Sequence, residues 1–353
     1  MLDENGTKTM KAINFIQQIA ATAFVVLALT SNVTASETKP YDRELARQKF
    51  HRPVSTPFPK ENGYTAERAA LGKALFFDPR LSRGNSISCA SCHNPSFAWG
   101  DGLPKAVGHG TKELGRRTPT ILNVAWGELY FWDGRAASLE EQALGPIAAP
   151  GEMNLPIDQM LEKVKGITGY HELFEKAYPG EGITDKVVAK AIATFERTVV
   201  SAQAPFDHWI AGREDAISEQ AKRGFDVFNS KAACVQCHVG WNFTDDGFHD
   251  IGLSSVDKGR GALLEQVEGV QFAKKTPTLR NAEQRAPFMH DGSERTLEDV
   301  VRFYNKGGEA KRPSLAYHVK PLGLTESEID DLCEFMRTLT SRDPAIDIPI
   351  LPR

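Results

Sequence analysis

Two short stretches, Cys89-Ala90-Ser91-Cys92-His93 and Cys234-Val235-Gln236-Cys237-His238, decide how this chain folds. Both have the C-x-x-C-H pattern by which c-type haem is attached to protein. In that pattern each thiol adds to one vinyl group of the porphyrin, and the adjacent histidine reaches the iron. A zinc site or a redox dithiol would use the paired cysteines without needing a histidine beside them. The motifs therefore predict two covalently bound haem c groups, held by Cys89, Cys92, His93, Cys234, Cys237 and His238.

The fifth cysteine, Cys333, lies in a different context. Thr325 and Glu328 form a capping box at the start of a helix in which the apolar side chains recur on one face. Cys333 belongs to that face. We therefore expect it in the hydrophobic core and not as a redox thiol.

Composition and charge exclude several classes of protein. The chain has 353 residues, of which 41% are hydrophobic and 25% charged, as in an ordinary water-soluble globular protein. A disordered chain, a collagen-like chain and a multispan membrane protein are excluded. The net charge is −4, so no basic excess indicates a nucleic acid or an anionic lipid as partner.

The N-terminal stretch is typical of an export signal. Met10 and Lys11 precede an apolar run from residue 19 to 29, and small residues at 33–35 place a cleavage site before Ser36. A retained N-terminal anchor is the alternative, but the run is short for a membrane span. We expect export to a bacterial periplasm, with residues 1–35 removed.

An internal repeat organises the rest of the chain. At an offset of 158 residues, RTPTILN at 117–123 aligns with KTPTLRN at 275–281, and Trp132-Asp133-Gly134 aligns with His290-Asp291-Gly292. Helical periodicity occupies residues 65–77, 185–200, 218–228 and 326–339, and strand patterns are scarce. The prediction is an all-α fold of two cytochrome c-like haem domains related by internal duplication. An N-terminal arm would span 36–63, and the haem domains 64–204 and 205–353.

The repeat also predicts a difference between the far faces of the two haems. Ser138 starts a helix that Gly145 and Pro146 should end after two turns at most, whereas the matching helix runs from Thr296 to Tyr304. Tyr304 corresponds to Pro146 at the 158 offset. A phenolate can ligate ferric iron and a proline cannot, so the second iron would be closed and the first left open for reaction.

Tyr304 also fits a purely structural role, because an aromatic residue on a buried helix face is usually part of the core. Met289 and Met336 are competing ligands for the second iron. The sequence leaves the choice among these three side chains open.

The chain resembles the bacterial dihaem cytochrome c peroxidases and their relative MauG. The resemblance covers residues 64–340 and rests on blocks such as FFDPRLSRGNSISCASCHNP, RRTPTILN, FWDGRAASLEEQALGPI, KTPTLRN and HDGSERTLEDVVRFYN. It implies a peroxidatic N-terminal haem and an electron-transfer C-terminal haem, which agrees with the open and closed irons expected from the repeat.

The resemblance also implies roles for single residues. His93 and His238 would be the proximal iron ligands, and Trp132 would lie between the haems and couple them electronically. Glu152 would move the proton that peroxide cleavage requires, and Gln142 would hold peroxide by hydrogen bonds without titrating. His290 takes the place of Trp132 in the second copy and is expected to be structural or to contact a propionate.

Two further expectations depart from the family pattern. His109, between two glycines, matches a loop histidine that caps the resting peroxidatic iron in the classical peroxidases, but Tyr304 matches the MauG subgroup, which lacks that cap. A family calcium site would use the backbone carbonyls of Arg285 and Pro287. Arg117 replaces its asparagine ligand, and because a guanidinium has no lone pair to offer, the calcium is in doubt.

Three functions remain compatible with the sequence. One is reduction of hydrogen peroxide with electrons from a small periplasmic cytochrome c or cupredoxin. The second is MauG-like oxidation of residues in a partner protein, although Ala232 replaces a surface tryptophan of MauG and disfavours maturation of a quinone cofactor by the same route. The third is a dihaem electron carrier without catalysis. The predicted open iron, with Gln142 and Glu152 beside it, favours peroxide-dependent oxidation.

Overall fold

The computed structural model describes residues 42–353, except the side chains of Arg43, Ala46 and Arg47. The predicted signal peptide and the first residues of the N-terminal arm lie outside the described residues. The α-helices are α1 Arg43–Phe50, α2 Ala66–Phe77, α3 Cys89–Cys92, α4 Leu139–Ala148, α5 Ile157–Lys165, α6 Thr168–Ala177, α7 Asp185–Arg197, α8 Pro205–Ile210, α9 Glu219–Asn229, α10 Leu297–Asn305 and α11 Glu326–Arg337.

Strand structure is scarce in this part of the chain, as the sequence predicts. Phe248–His249 (β1) and Lys274–Lys275 (β2) pair in antiparallel fashion, with Phe248 opposite Lys275. Short 3-10 turns and loops connect the helices. Within residues 42–353, no helix combines the length and the apolar character needed to cross a bilayer.

Side-chain caps explain where the principal helices begin. The side chains of Thr65, Ser218 and Thr325 each accept a hydrogen bond from a backbone N–H in the first turn of α2, α9 and α11. Thr325 and Glu328 form the predicted capping box. The predicted helix starts are thus confirmed, whereas α7 and α11 end two or three residues earlier than the periodicity indicates.

The predicted end of α4 is wrong. The helix continues through Gly145 and Pro146 to Ala148. A proline lacks only its own backbone N–H, so it removes a single bond to the carbonyl four residues earlier. The N–H of Ala149 still donates to the carbonyl of Gly145 at 3.0 Å and closes the last turn.

The described residues contain two separate hydrophobic cores. One packs α2 against α7 and includes Leu75, Phe76 and Ile192. The other packs α9 against α11 and includes Phe225 and the fully buried Cys333, which confirms that this cysteine is a core residue. Each core lies beside one C-x-x-C-H motif.

A glycine permits the close helix contact in each core. A Cβ atom on Gly72 of α2 would lie 1.9 Å from the carbonyl oxygen of Ala191 in α7. A Cβ atom on Gly224 of α9 would lie 1.9 Å from the carbonyl oxygen of Asp331 in α11. Both helix pairs therefore pack backbone against backbone.

The loops after the haem motifs also match in conformation. At the offset of 158 residues, Asn123 and Asn281 both have left-handed backbones, with φ of 62° and 55°. Gly134 and Gly292 both have φ of 71°. Turns of the same conformation therefore occur at equivalent positions of the two aligned segments.

The close contact at Gly72 predicts that alanine destabilises the protein at this position, although alanine is normally the better helix former. Substitution of Gly72 by Ala should lower the free energy of unfolding by about 2 kcal/mol or more, because the added methyl group forces α2 away from α7. Ala70 is exposed on the same helix, and there Ala70→Gly should cost about 1 kcal/mol through helix propensity alone. Denaturant unfolding of both variants measures the difference, and a Gly72→Ala protein as stable as wild type would contradict the packing.

Candidate functional site

The first haem motif opens into a cavity of about 640 Å³. Cys89, Cys92 and His93 line its wall, and burial raises the pKa of the Cys92 thiol to about 11. His93 Nδ1 lies 3.3 Å from the carbonyl oxygen of Trp99, an arrangement in which Nδ1–H donates and Nε2 is free to bind a metal. Two partly buried cysteines with an oriented imidazole fit a covalently attached haem.

The second motif lines a smaller cavity of about 210 Å³. Cys234, Cys237 and His238 lie in its wall, and burial raises the pKa of the Cys234 thiol to about 12. His238 Nδ1 is 2.8 Å from the carbonyl oxygen of Phe243, so this imidazole is oriented as His93 is. The same donor set therefore fits a second haem.

Two histidines far from the motif in sequence lie next to Cys237. Its Sγ atom is 3.1 Å from His318 Nε2, and His249 completes a group that could hold a metal ion. His249 Nε2 is also 2.7 Å from a carboxylate oxygen of Asp245. Haem attachment converts Cys237 into a thioether and removes the thiolate that such a metal site needs, so this group is not a separate metal site in the haem-loaded protein.

The far walls of the two cavities differ as the repeat predicts. Gln142, Pro146 and Glu152 line the first cavity. Tyr304 lines the second, and burial raises the pKa of its hydroxyl group, with smaller contributions from the thiols of Cys237 and Cys234. The hydroxyl of Tyr304 thus lies close to the second haem motif, where the first cavity has a proline.

Met289 and Met336 also line the second cavity. The structure therefore brings together all three side chains that the sequence offers as ligands of the second iron. Of these three side chains, Tyr304 corresponds at the offset of 158 residues to Pro146, which lines the first cavity.

Glu152 lies in the wall of the first cavity. Its carboxyl group lines the first cavity, where burial raises its pKa and the positive charge of Arg135 opposes that effect. A carboxyl group is a side chain that can accept a proton and return it during a reaction. Gln142 lies in the same wall.

Trp132 lines both cavities. Its Nε1–H donates to the carbonyl oxygen of Arg117 at 2.9 Å, which fixes the indole ring. On the side of the second cavity it makes an edge contact with His290, with 6.4 Å between the ring centres. The indole is therefore the aromatic group that the two cavities share.

His290 is buried, and its Nε2 lies 3.3 Å from Ser255 Oγ. Burial lowers its pKa to about 4, with a further contribution from Lys274. A neutral imidazole held by a serine fits the structural role expected from the sequence.

His109 lies on a loop beside the first cavity. Its backbone N–H donates to the carbonyl oxygen of Glu152 at 2.8 Å, and neighbouring Gly108 lines the cavity. His109 itself is not one of the described residues that line this cavity. Capping of the first iron by His109 stays a prediction.

The carbonyl group expected to bind calcium already has a partner. Arg117 Nη2 donates to the carbonyl oxygen of Arg285 at 2.7 Å, and both guanidinium groups are buried. A calcium ion at this carbonyl would meet a cation, so the contact disfavours calcium.

Sequence reasoning did not identify Glu196 as part of the site. This residue of α7 is buried, lines the first cavity, and leaves one carboxylate oxygen without a hydrogen-bond partner in the described structure. Burial raises its pKa to about 8, against the opposing charge of Arg197. The helical pattern of the sequence identifies Glu196 only as a polar residue of a helix. Its position in the cavity wall depends on how the helix packs, which the sequence pattern does not give.

Comparison with known proteins agrees with this geometry. The sequence model of the family described as di-haem cytochrome c peroxidase matches residues 66–215, and that of cytochrome c matches residues 221–340. The methylamine utilization protein MauG of Methylorubrum extorquens is 50% identical over 334 residues, which cover 94% of each chain. The chain belongs to the di-haem cytochrome c peroxidase/MauG family. As a member of that family it has two covalently bound haem c groups.

More distant members share the fold. The cytochrome c551 peroxidase of Nitrosomonas europaea is 35% identical over 292 residues, covering 81% of this chain and 84% of the other. The crystal structure of a MauG-like protein associated with microbial copper homeostasis superposes with a TM-score of 0.75 at 28% identity, covering 82% of this chain and 95% of the other. The diheme peroxidase BthA from Burkholderia thailandensis gives 0.69 at 25% identity, with 79% and 87% covered.

Burial of Glu196 predicts a particular pH dependence for this family member. Its folded-state pKa of about 8 exceeds the ordinary value of 4.5, so its contribution to stability is complete below pH 4.5 and is lost as the pH rises through 8. Glu196→Gln should therefore gain roughly 2–4 kcal/mol relative to wild type between pH 4.5 and 8.5.

Denaturant unfolding at several pH values measures this difference. Glu162→Gln, at an exposed position, is the control and should follow wild type throughout. Parallel stability curves for wild type and Glu196→Gln would show that Glu196 has an ordinary pKa.

Proposed function

We propose that this protein is an exported dihaem peroxidase, which reduces hydrogen peroxide at the first cavity with electrons that enter through the second. The observation that carries the proposal is the contrast between Pro146 in the first cavity and Tyr304 in the second. A proline leaves an iron position free for peroxide, and a tyrosine can fill it. The same contrast argues against an electron carrier without catalysis.

The proposed reaction is H2O2 + 2 electrons + 2 H⁺ → 2 H2O. The haem of the first cavity, when bound, supplies the redox chemistry. Glu152 takes the proton from one peroxide oxygen and returns it to the other, so that the departing oxygen leaves as water. Gln142 donates a hydrogen bond from its amide and holds peroxide without changing charge.

In this proposal His93 and His238 would hold the two haem irons, because their Nδ1 atoms are engaged and their Nε2 atoms are free. Tyr304 would also hold the second iron, through its hydroxyl oxygen. Trp132 couples the cavities, since it contributes to the wall of each. The electron donor is a small soluble cytochrome c or cupredoxin that docks near the second haem.

A second candidate is oxidation of residues in a partner protein at long range. The 50% identity to MauG favours this candidate. Tyr304 also favours it, because an anionic oxygen ligand stabilises oxidised iron over ferrous iron. Ala232, two residues before the second motif, is buried and small, and cannot serve as a surface redox residue. MauG has a surface tryptophan at the position of Ala232. Maturation of a quinone cofactor by the same route is therefore disfavoured, and the partner protein would be a different one.

The domain boundaries are part of the proposal. The two hydrophobic cores support haem domains at 64–204 and 205–353, since α8 begins at Pro205. The matching left-handed residues support an origin by internal duplication. Export to the periplasm follows from the signal-like stretch at 10–36.

Steady-state turnover separates the two candidate functions. The holoprotein is given hydrogen peroxide and a reduced small cytochrome c, and oxidation of the cytochrome is followed by its absorbance. A peroxidase should oxidise two cytochromes for each peroxide consumed. No oxidation of any reduced cytochrome or cupredoxin, together with peroxide-driven oxidation of a partner protein, would favour the second candidate.

The role of Glu152 predicts a slow variant. Glu152→Gln should reduce the rate of reaction with peroxide by about 10² or more, because an amide cannot move the proton between the peroxide oxygens. Stopped-flow absorbance measures this rate. Glu113→Gln removes an exposed carboxylate and should react as wild type does. Equal rates for wild type and Glu152→Gln would remove this residue from the mechanism.

The role of Tyr304 predicts a change at one haem alone. Tyr304→Phe keeps the ring and removes the oxygen, so the absorbance and EPR signals of the second haem should change while those of the first stay the same. Tyr317→Phe, at a position that is 85% exposed, is the control and should leave both haems unaltered. An unchanged spectrum for Tyr304→Phe would show that this tyrosine is only packed.

A further inference from the structure

Two buried arginines lie side by side in the wall of the second cavity. Arg117 is 8% exposed and Arg285 is 7% exposed, and both line this cavity. Arg117 Nη2 donates to the carbonyl oxygen of Arg285, and Arg285 Nη2 donates to the carbonyl oxygen of Thr278, each at 2.7 Å. These bonds hold both guanidinium groups in place but provide no negative charge.

No carboxylate is paired directly with either guanidinium group in the described structure. Arg117 Nε and Arg285 Nη1 are buried and have no hydrogen-bond partner there. Two adjacent buried cations with free N–H groups therefore need an anion.

Neighbouring arginines do not share this need. Arg116 is paired with Asp133 and Asp257, and Arg312 on the wall of the second cavity is paired with Asp250. The acid whose charge acts on Arg117 is Asp101, and its carboxylate accepts a hydrogen bond from Thr118. The missing anion must come from whatever fills the cavity.

We propose that Arg117 and Arg285 form a carboxylate-binding site for the propionate groups of the haem in the second cavity. A haem brings two carboxylates into the pocket, and planar guanidinium groups are the side chains best suited to bind them. Arg117 lines the first cavity as well, so its charge lies at the wall that the two cavities share.

The site predicts a change in reduction potential. Removal of a buried cation favours oxidised over reduced haem, because reduction adds an electron to the site. In the holoprotein, Arg285→Gln should shift the reduction equilibrium of the second haem at least tenfold toward the oxidised form, which is about 59 mV for one electron. Arg285→Lys, which keeps the charge, should shift it much less.

Spectroelectrochemical titration measures both haems separately. Arg223→Gln is the control, because Arg223 is exposed and paired with Asp331. A shift for Arg285→Gln no larger than that for Arg223→Gln would overturn the proposal. The measurement depends on haem attachment alone, so it stands or falls independently of peroxide turnover.

A second measurement uses the wild-type holoprotein and avoids any failure of a variant to fold. Haem propionates are labelled with ¹³C by growth on labelled 5-aminolevulinate, and infrared spectra are recorded as the pH is lowered. A propionate held by two guanidinium groups should stay ionised at a pH of about 4, where ordinary carboxyl groups are half protonated. Protonation of all labelled propionates at ordinary pKa values would overturn the proposal.

Discussion

The hydrogen bond between the histidine of each haem motif and a backbone carbonyl is the constraint on which both cavities depend. His93 and His238 immediately follow the second cysteine of their motifs, and each has its Nδ1 atom at a carbonyl oxygen a few residues further along the chain. This bond selects the tautomer and directs Nε2 into the cavity. Because the near sides of the cavities are alike, the far walls determine what each haem can do.

The far walls differ through a small change between otherwise similar helices. Both α4 and α10 begin at a capping hydroxyl and carry the residue that faces the motif near their last turn. A proline there leaves space beside Gln142 and Glu152, whereas Tyr304 fills it with an aromatic ring and an oxygen donor. Two cytochrome c-like domains can thus provide a reaction site and a separate electron-transfer site.

Much of the fold and of the candidate site can be predicted from the sequence. Features that depend on contacts between distant parts of the chain could not be predicted in this way. The haem motifs and the caps at Thr65 and Thr325 follow from short-range patterns, and the correspondence of Pro146 with Tyr304 follows from the repeat at an offset of 158 residues. The rule that glycine and proline end a helix did not predict that α4 continues past Pro146. A proline late in a helix removes one backbone hydrogen bond, and neighbouring contacts can compensate for that loss. Glu196 and the paired arginines of the second cavity differ from other charged residues only in what surrounds them after folding. No spacing rule connects such residues, and only the folded chain brings them together.

Low-temperature EPR of the oxidised holoprotein tests the difference between the two irons most directly. We expect one high-spin ferric signal from the first haem and one low-spin ferric signal from the second, with the high-spin signal lost on addition of one equivalent of hydrogen peroxide. Two low-spin signals that persist after peroxide and after partial reduction would contradict this division, because neither iron would then have a free position for the oxidant.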